Sequence, residues 1–148
     1  LMIRRPQRST LDRSSAASDV YKRQGLERVN FLQPIKVVEG PLDSLFLDNC
    51  LASAGADLKN VKKSLPEDQI TYIYDNEPRN REIIKHMYSV IDKGYSLVIW
   101  PDDLKHKDIN DMIISGLTSE QITDIIHNNT FSGLAATAKL DFYKRVQI

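Results

Sequence analysis

The strongest constraint on the fold of this chain is a set of short, apolar, β-branched runs, at residues 35–38, 70–74 and 95–100, separated by stretches with helical periodicity. Runs that are apolar at consecutive rather than alternate positions suit strands buried on both faces, as in a parallel sheet. After the first run, Pro41 sits at a first helical position, and Leu42, Leu45, Phe46, Asn49 and Cys50 keep helical spacing until Gly55. Pro78 closes the second run, and from Arg79 onward Ile83, Ile84, Met87, Val90 and Ile91 share one helical face that stops at Gly94. Pro101 ends the third run. A short helix through Met112 and Ile113 follows, then one opened by Thr118 with Gln121 three residues on, a capping-box pattern, with Ile122, Ile125 and Ile126 as its apolar face. Leu134, Ala138 and Phe142 mark a last helix. This alternation predicts an α/β domain with a mainly parallel sheet flanked by helices, followed by C-terminal helices.

The first 24 residues are set apart from that pattern. Back-translated, Ser14 to Gln24 resembles a transposase-type sequencing-library adapter, Met2 to Thr10 resembles the flow-cell adapter preceding it with Gln7 as the one departure, and Leu11 to Arg13 occupies the place of a variable index. The segment is Arg-rich, Ser-rich and poor in acids, which mimics an organelle transit peptide. It is read as non-native and disordered, and excluded from fold and localisation. It holds six basic and two acidic residues, so the remainder carries 14 basic against 18 acidic, a net charge of −4 in place of apparent neutrality. A mildly acidic domain does not hold nucleic acid by bulk charge, and contact would need local basic patches or bridging cations. Lys59, Lys62 and Lys63 form one loose patch; Arg79, Arg81 and Lys85 form another.

The remainder suffices for a single core. No apolar run approaches the roughly 20 residues that span a bilayer, so the chain reads as soluble, with no membrane partner. The single cysteine, Cys50, excludes an internal disulfide and a cysteine-based zinc site, and among Leu47, Leu51 and Ala54 it reads as a small buried hydrophobe. His86, His106 and His127 lack metal-ligand spacing and read as incidental.

Chemistry is carried by carboxylates at strand ends. Glu39 follows the first run, with Asp43 one helical turn later; Asp75 and Glu77 follow the second; Asp108, Asn110 and Asp111 lie beyond the third. In an open parallel sheet the binding crevice lies outside the carboxyl ends of the strands, so residues distant in sequence meet at one rim. Carboxylates gathered there repel, and a hard divalent cation with oxygen ligands, Mg²⁺ or Mn²⁺, stabilises them together. Mg²⁺ recruits substrate phosphates, which makes phosphoryl or nucleotidyl transfer the leading chemistry. Gly40 permits close approach of backbone or phosphate. Arg79, Arg81 and Lys107 stand beside the acidic motifs as candidate phosphate or nucleic-acid contacts. Asp43 has a second reading, as an acid favouring the first turn of its helix. Turn chemistry suffices for Asp102 and Asp103.

The ordered segments VVEGPLDSLFLDN, YIYDNEPRNREI and IWPDDLKHKDINDMI resemble the Toprim domain, and more narrowly the DNA primases of large tailed phages, from about Gly25 to the C-terminus. The resemblance implies a Toprim-like, Rossmann-like catalytic domain over 25–116 with a helical extension over 117–148 packed on it. It implies Glu39 as the catalytic glutamate, Asp75, Glu77, Asp108 and Asp43 as the metal set, and Gly40, Asn110 and Asp111 in support. Glu77 stands where aspartate is commoner, and Asn110 where some primases have a second aspartate; the neutral amide weakens Asn110 as a direct ligand. The implied activity is metal-dependent synthesis of short RNA primers from ribonucleoside triphosphates on single-stranded DNA, beside a replicative helicase in the cytoplasm of an infected bacterium. The alternatives are a Toprim nuclease or topoisomerase fragment and a non-catalytic nucleic-acid-binding module. Nothing in the chain matches the zinc-binding or N-terminal polymerase parts of such primases, so the isolated chain is expected to prime poorly.

Overall fold

The structure, a computed structural model, describes residues 28–53 and 66–148. The adapter-like segment, the Lys59, Lys62 and Lys63 patch, and the Gly55 helix stop lie outside the described residues. Strands β1 (Ile35–Val38), β2 (Cys50–Ala52), β3 (Ile70–Ile73), β4 (Ser96–Val98) and β5 (Thr130–Phe131) form one sheet in the order β2-β1-β3-β4-β5. All neighbours run parallel except the β4–β5 pair. The helices are α1 (Pro41–Ser44), α2 (Arg81–Asp92), α3 (Ile109–Ile114), α4 (Ser119–Asn128) and α5 (Gly133–Tyr143). The fold is thus the α/β class expected from the alternating pattern.

The central strands are apolar on both sides because both faces are covered. Ile35, Val37 and Val38 of β1, and Ile70, Tyr72 and Ile73 of β3, are all buried. The expected face of α2 is the buried one: Ile83, Ile84, Met87, Val90 and Ile91 point inward. Asn80 caps it, its side-chain oxygen accepting the amides of Glu82 and Ile83. Gly94 follows at φ 87°, the left-handed position where a Cβ is strained, and turns the chain straight into β4. The capping box at Thr118 and Gln121 forms as the spacing predicts. Among the described residues no helix is long and apolar enough to cross a membrane.

One local expectation is corrected. The helix after Pro41 lasts a single turn, and Cys50 lies in β2. The helix ends at Leu45, and Asn49 turns the chain into β2, its backbone taking the left-handed φ of 50° while its side-chain amide donates to the carbonyls of Pro34 and Asn30 and its oxygen accepts the Asn30 amide. Asparagine tolerates that conformation better than most residues. Cys50 is nevertheless buried, as its neighbours suggest. In α5 the buried residues are Ala136, Leu140 and Tyr143, while Leu134 and Phe142 are 89% and 82% exposed. Both sets satisfy helical spacing in a helix that is apolar nearly all round, so periodicity alone does not choose between them.

Candidate functional site at the carboxyl edge of the sheet

Because β1, β3 and β4 are parallel, their carboxyl ends lie on one edge, and the segments that follow them bring the acidic motifs together. The β1–β3 register ends at Val38 opposite Ile73, so one residue further on Glu39 lies beside Tyr74 and Gly40 beside Asp75. Burial pushes the Asp75 carboxyl up to about 6, reinforced by the charges of Glu39, Asp43 and Asp108 and opposed by Lys107. Three motifs separated widely in sequence therefore share one electrostatic field. Burial also raises Glu39; the nearby His86 pulls the other way, and Glu77 and Asp43 add to the rise.

The rim is braced by specific bonds between motifs. Asp43 is 7% exposed, and its Oδ1 accepts the backbone amide of Asn110 at 2.8 Å, tying α1 to the start of α3. Burial raises its carboxyl, that amide lowers it, and Asp108 and Asp111 raise it further. Asp43 thus does more than favour its helix turn: it spans the first and third motifs. Asn110 contributes its main chain, and its neutral side chain is not needed for that contact. Gly40 is explained by the same carboxylate, since a Cβ there would stand 2.9 Å from Asp43 Oδ2.

Asp108 is the N-cap of α3, its Oδ1 accepting the Asp111 amide at 2.7 Å. Asp111 itself is exposed in the first turn of that helix. Glu77 is held by Asn80 Nδ2 at 2.6 Å and by Lys107 Nζ at 3.0 Å; the Asn80 bond leads in lowering its carboxyl, followed by Lys107. Lys107 is exposed and raised in turn by Glu77 and Asp75. Arg81 opens α2 on the exposed side. Arg79 lines a groove of about 380 Å³ with Asn76, Pro101, Leu104, Lys105, Tyr143 and Arg145. The Arg145 guanidinium is engaged there by the carbonyls that end α5 and by Asp102.

Asp43, Glu77 and Asp108 are thus each drawn toward a protein partner. Among the described residues, no three His, Cys, Asp or Glu side chains are grouped closely enough to hold a metal ion. The rim gathers the acids into one field without packing them into a cage.

Two participants escaped the sequence reading. His86, expected to be incidental, lines a cavity of about 310 Å³ with Glu39, Tyr72, Tyr74 and Lys93, and its ring lies 6.4 Å from that of Tyr74. Its position four residues before Val90 on an amphipathic helix was the available signal, since it falls at the border of the buried face. Asn76, between the two acids of its motif, is the other. Its amide donates to Lys107 O at 2.6 Å, its Nδ2 donates to Leu104 O at 2.8 Å and His106 O at 3.0 Å, and its Oδ1 accepts the Tyr143 hydroxyl at 2.9 Å.

Fold and site together define an α/β domain with an acidic rim beyond the ends of its parallel strands. The chain is similar to the DNA primase of Enterobacteria phage T4, 36% identical over 139 residues, which is 93% of this chain and 39% of that protein. It therefore spans well under half the length of that relative. The matched span is longer than Gly25 to Ile148, so part of the segment set aside on the adapter resemblance aligns with the relative. No protein-family model matches the chain.

Proposed function

We propose that this chain is the Toprim-type catalytic module of a phage DNA primase, acting in metal-dependent nucleotidyl transfer. The single observation that carries the reading is geometric: the parallel strands bring three acidic motifs to one edge in the expected order, and Asp43 of the first is bonded to the Asn110 amide of the third at 2.8 Å. The similarity to the T4 primase supports a primase-related domain. Single-stranded DNA, ribonucleoside triphosphates and a replicative helicase are the partners that reading entails.

The donor set suits Mg²⁺ or Mn²⁺. It is all oxygen, and the Asp75 carboxyl, raised first by burial, lies in the field of Glu39, Asp43 and Asp108, a concentration of negative charge that a divalent cation would offset. Mg²⁺ is commonly bound through one or two carboxylates with retained waters and substrate phosphates, so it does not require a three-acid cage. Asp75 would hold it, with Glu77 and Asp108 recruited from their present partners. When bound, the cation supplies charge neutralisation at the reacting phosphate.

The chain's own residues do the rest. In the reaction a ribonucleotide 3′-oxygen bonds to the α-phosphorus of the incoming triphosphate while the bond to pyrophosphate breaks. Glu39, half-buried and raised by its surroundings, accepts the hydroxyl proton. His86 lines the same cavity as Glu39. Lys107, Arg79 and Arg81, all exposed and adjacent in sequence to the acidic motifs, would meet phosphates.

A photo-crosslinkable ATP analogue tests the reading. Labelling of the 148-residue chain at the rim should depend on Mn²⁺ and be lost in Asp75→Asn. Labelling indifferent to both would contradict it. A second reading, a non-catalytic module, is favoured by the engagement of Asp43, Glu77 and Asp108 with protein partners. It predicts single-stranded DNA binding that is unchanged by metal and by Asp75→Asn. Metal-dependent degradation of that DNA would instead indicate the nuclease alternative.

A further inference from the structure

We propose that Asn76 and Tyr143 are positioning residues that set the separation of the second and third acidic motifs, a role that rests on the metal-dependent reading above. Asn76 stands between Asp75 and Glu77, and every polar group of its side chain is engaged. Its Nδ2 donates to the carbonyls of Leu104 and His106, at 2.8 and 3.0 Å, and its main-chain amide donates to Lys107 O at 2.6 Å. These three carbonyls belong to the segment that leads directly into Asp108. One residue therefore clamps the loop carrying Asp75 and Glu77 to the loop carrying Asp108.

The clamp is locked from the C-terminal helix. The Tyr143 side chain is 5% exposed at the end of α5, and its hydroxyl donates to Asn76 Oδ1 at 2.9 Å. Asn76 Oδ1 would otherwise compete for other donors, and an amide free to rotate would offer the Leu104 and His106 carbonyls its oxygen instead of its NH₂. The tyrosine thereby fixes the amide's orientation. A second link holds the same end of α5, since the Arg145 amide donates to Pro78 O at 2.7 Å. A helix that supplies no acid to the rim thus sets the spacing of those that do. Outer-shell partners of ligating carboxylates commonly matter about 10–100-fold in metal affinity.

The test uses the whole chain with Mn²⁺ as probe, in wild type, Tyr143→Phe, Asn76→Ala and the double variant. Tyr143→Phe keeps the buried ring and removes the hydroxyl alone. The expected result is cooperative unfolding in every variant, Mn²⁺ affinity weakened about 10-fold or more by either single change, and a double variant no weaker than Asn76→Ala, because Tyr143 acts through Asn76. Wild-type affinity in Tyr143→Phe, or strictly additive losses, would overturn the proposal. If wild type shows no Asp75-dependent Mn²⁺ binding, it is the metal reading that fails. Hydrogen exchange then judges the clamp by itself. The Asn76 amide should exchange at least about 10-fold faster in Tyr143→Phe, while core amides such as Leu97 are unchanged. Unaltered exchange at Asn76 would overturn it.

Discussion

The carboxylate of Asp43 accepts the backbone amide of Asn110 at 2.8 Å, joining the turn after the first strand to the helix that carries the third acidic motif. Removing only one side of a buried hydrogen bond is costly, because the orphaned amide loses its solvation without replacement. Asp43→Ala should destabilise the chain by about 1–3 kcal/mol in urea unfolding. Asp43→Asn, which keeps an acceptor and removes a charge that burial and the nearby Asp108 and Asp111 disfavour, should cost much less.

Gly40 is coupled to the same carboxylate. A methyl group at 40 would press on Asp43 Oδ2, which Asn110 restrains through the other oxygen of the carboxyl group. Gly40→Ala is expected to cost about 1–3 kcal/mol, as overpacking typically does. In an Asp43→Ala background the same change should cost appreciably less. Equal costs in both backgrounds would show that some other contact excludes a side chain there.

The raised Asp75 carboxyl gives stability a pH dependence of definite sign. Its folded-state value, about 6, lies above its ordinary value of 3.8, so the folded chain binds this proton more tightly than the unfolded chain. The resulting stabilisation is fully present below about 3.8 and is lost as pH rises through about 6. Without divalent cation, Asp75→Asn should therefore melt at a higher temperature than wild type at pH 7.5, and the advantage should vanish near pH 4. Thermal melts of the pair at both pH values isolate this group from the others.

Cys50 should be inert in the folded chain. Burial pushes its thiol up to about 12, so almost no thiolate is available at neutral pH. Alkylation by iodoacetamide should follow the urea unfolding curve and be negligible before it. Rapid labelling under native conditions would mean that β2 opens locally, far below the global transition.

The parts of the fold that were legible in the sequence are those set by long periodic patterns. The three apolar runs and the inward face of α2 were legible because burying several β-branched residues in a row, or five residues on one helical face, has few alternative solutions. Short elements were not. β5 is two residues long and carries no periodicity, and the turn at Asn49 depends on hydrogen bonds to residues 15 and 19 positions away. α5 was found, but its inward face was not legible, since Leu134 and Phe142 are as apolar as the residues that face inward. At the rim, acidic side chains advertise themselves by type, so Glu39 and Asp75 stand out as candidates at strand ends, and Asp108 as one in the segment beyond the third run. Asn76, Tyr143 and His86 could not, because their roles lie in contacts across the fold that no local spacing encodes.

The central claim is that the rim is a divalent-cation site organised around Asp75, and Mn²⁺ titration followed by electron paramagnetic resonance tests it most directly. The 148-residue chain should bind Mn²⁺ saturably at pH 7.5, with binding weakened at pH 5 as Asp75 takes up its proton, and abolished in Asp75→Asn. Equal Mn²⁺ binding by wild type and Asp75→Asn, or none by either, would contradict it.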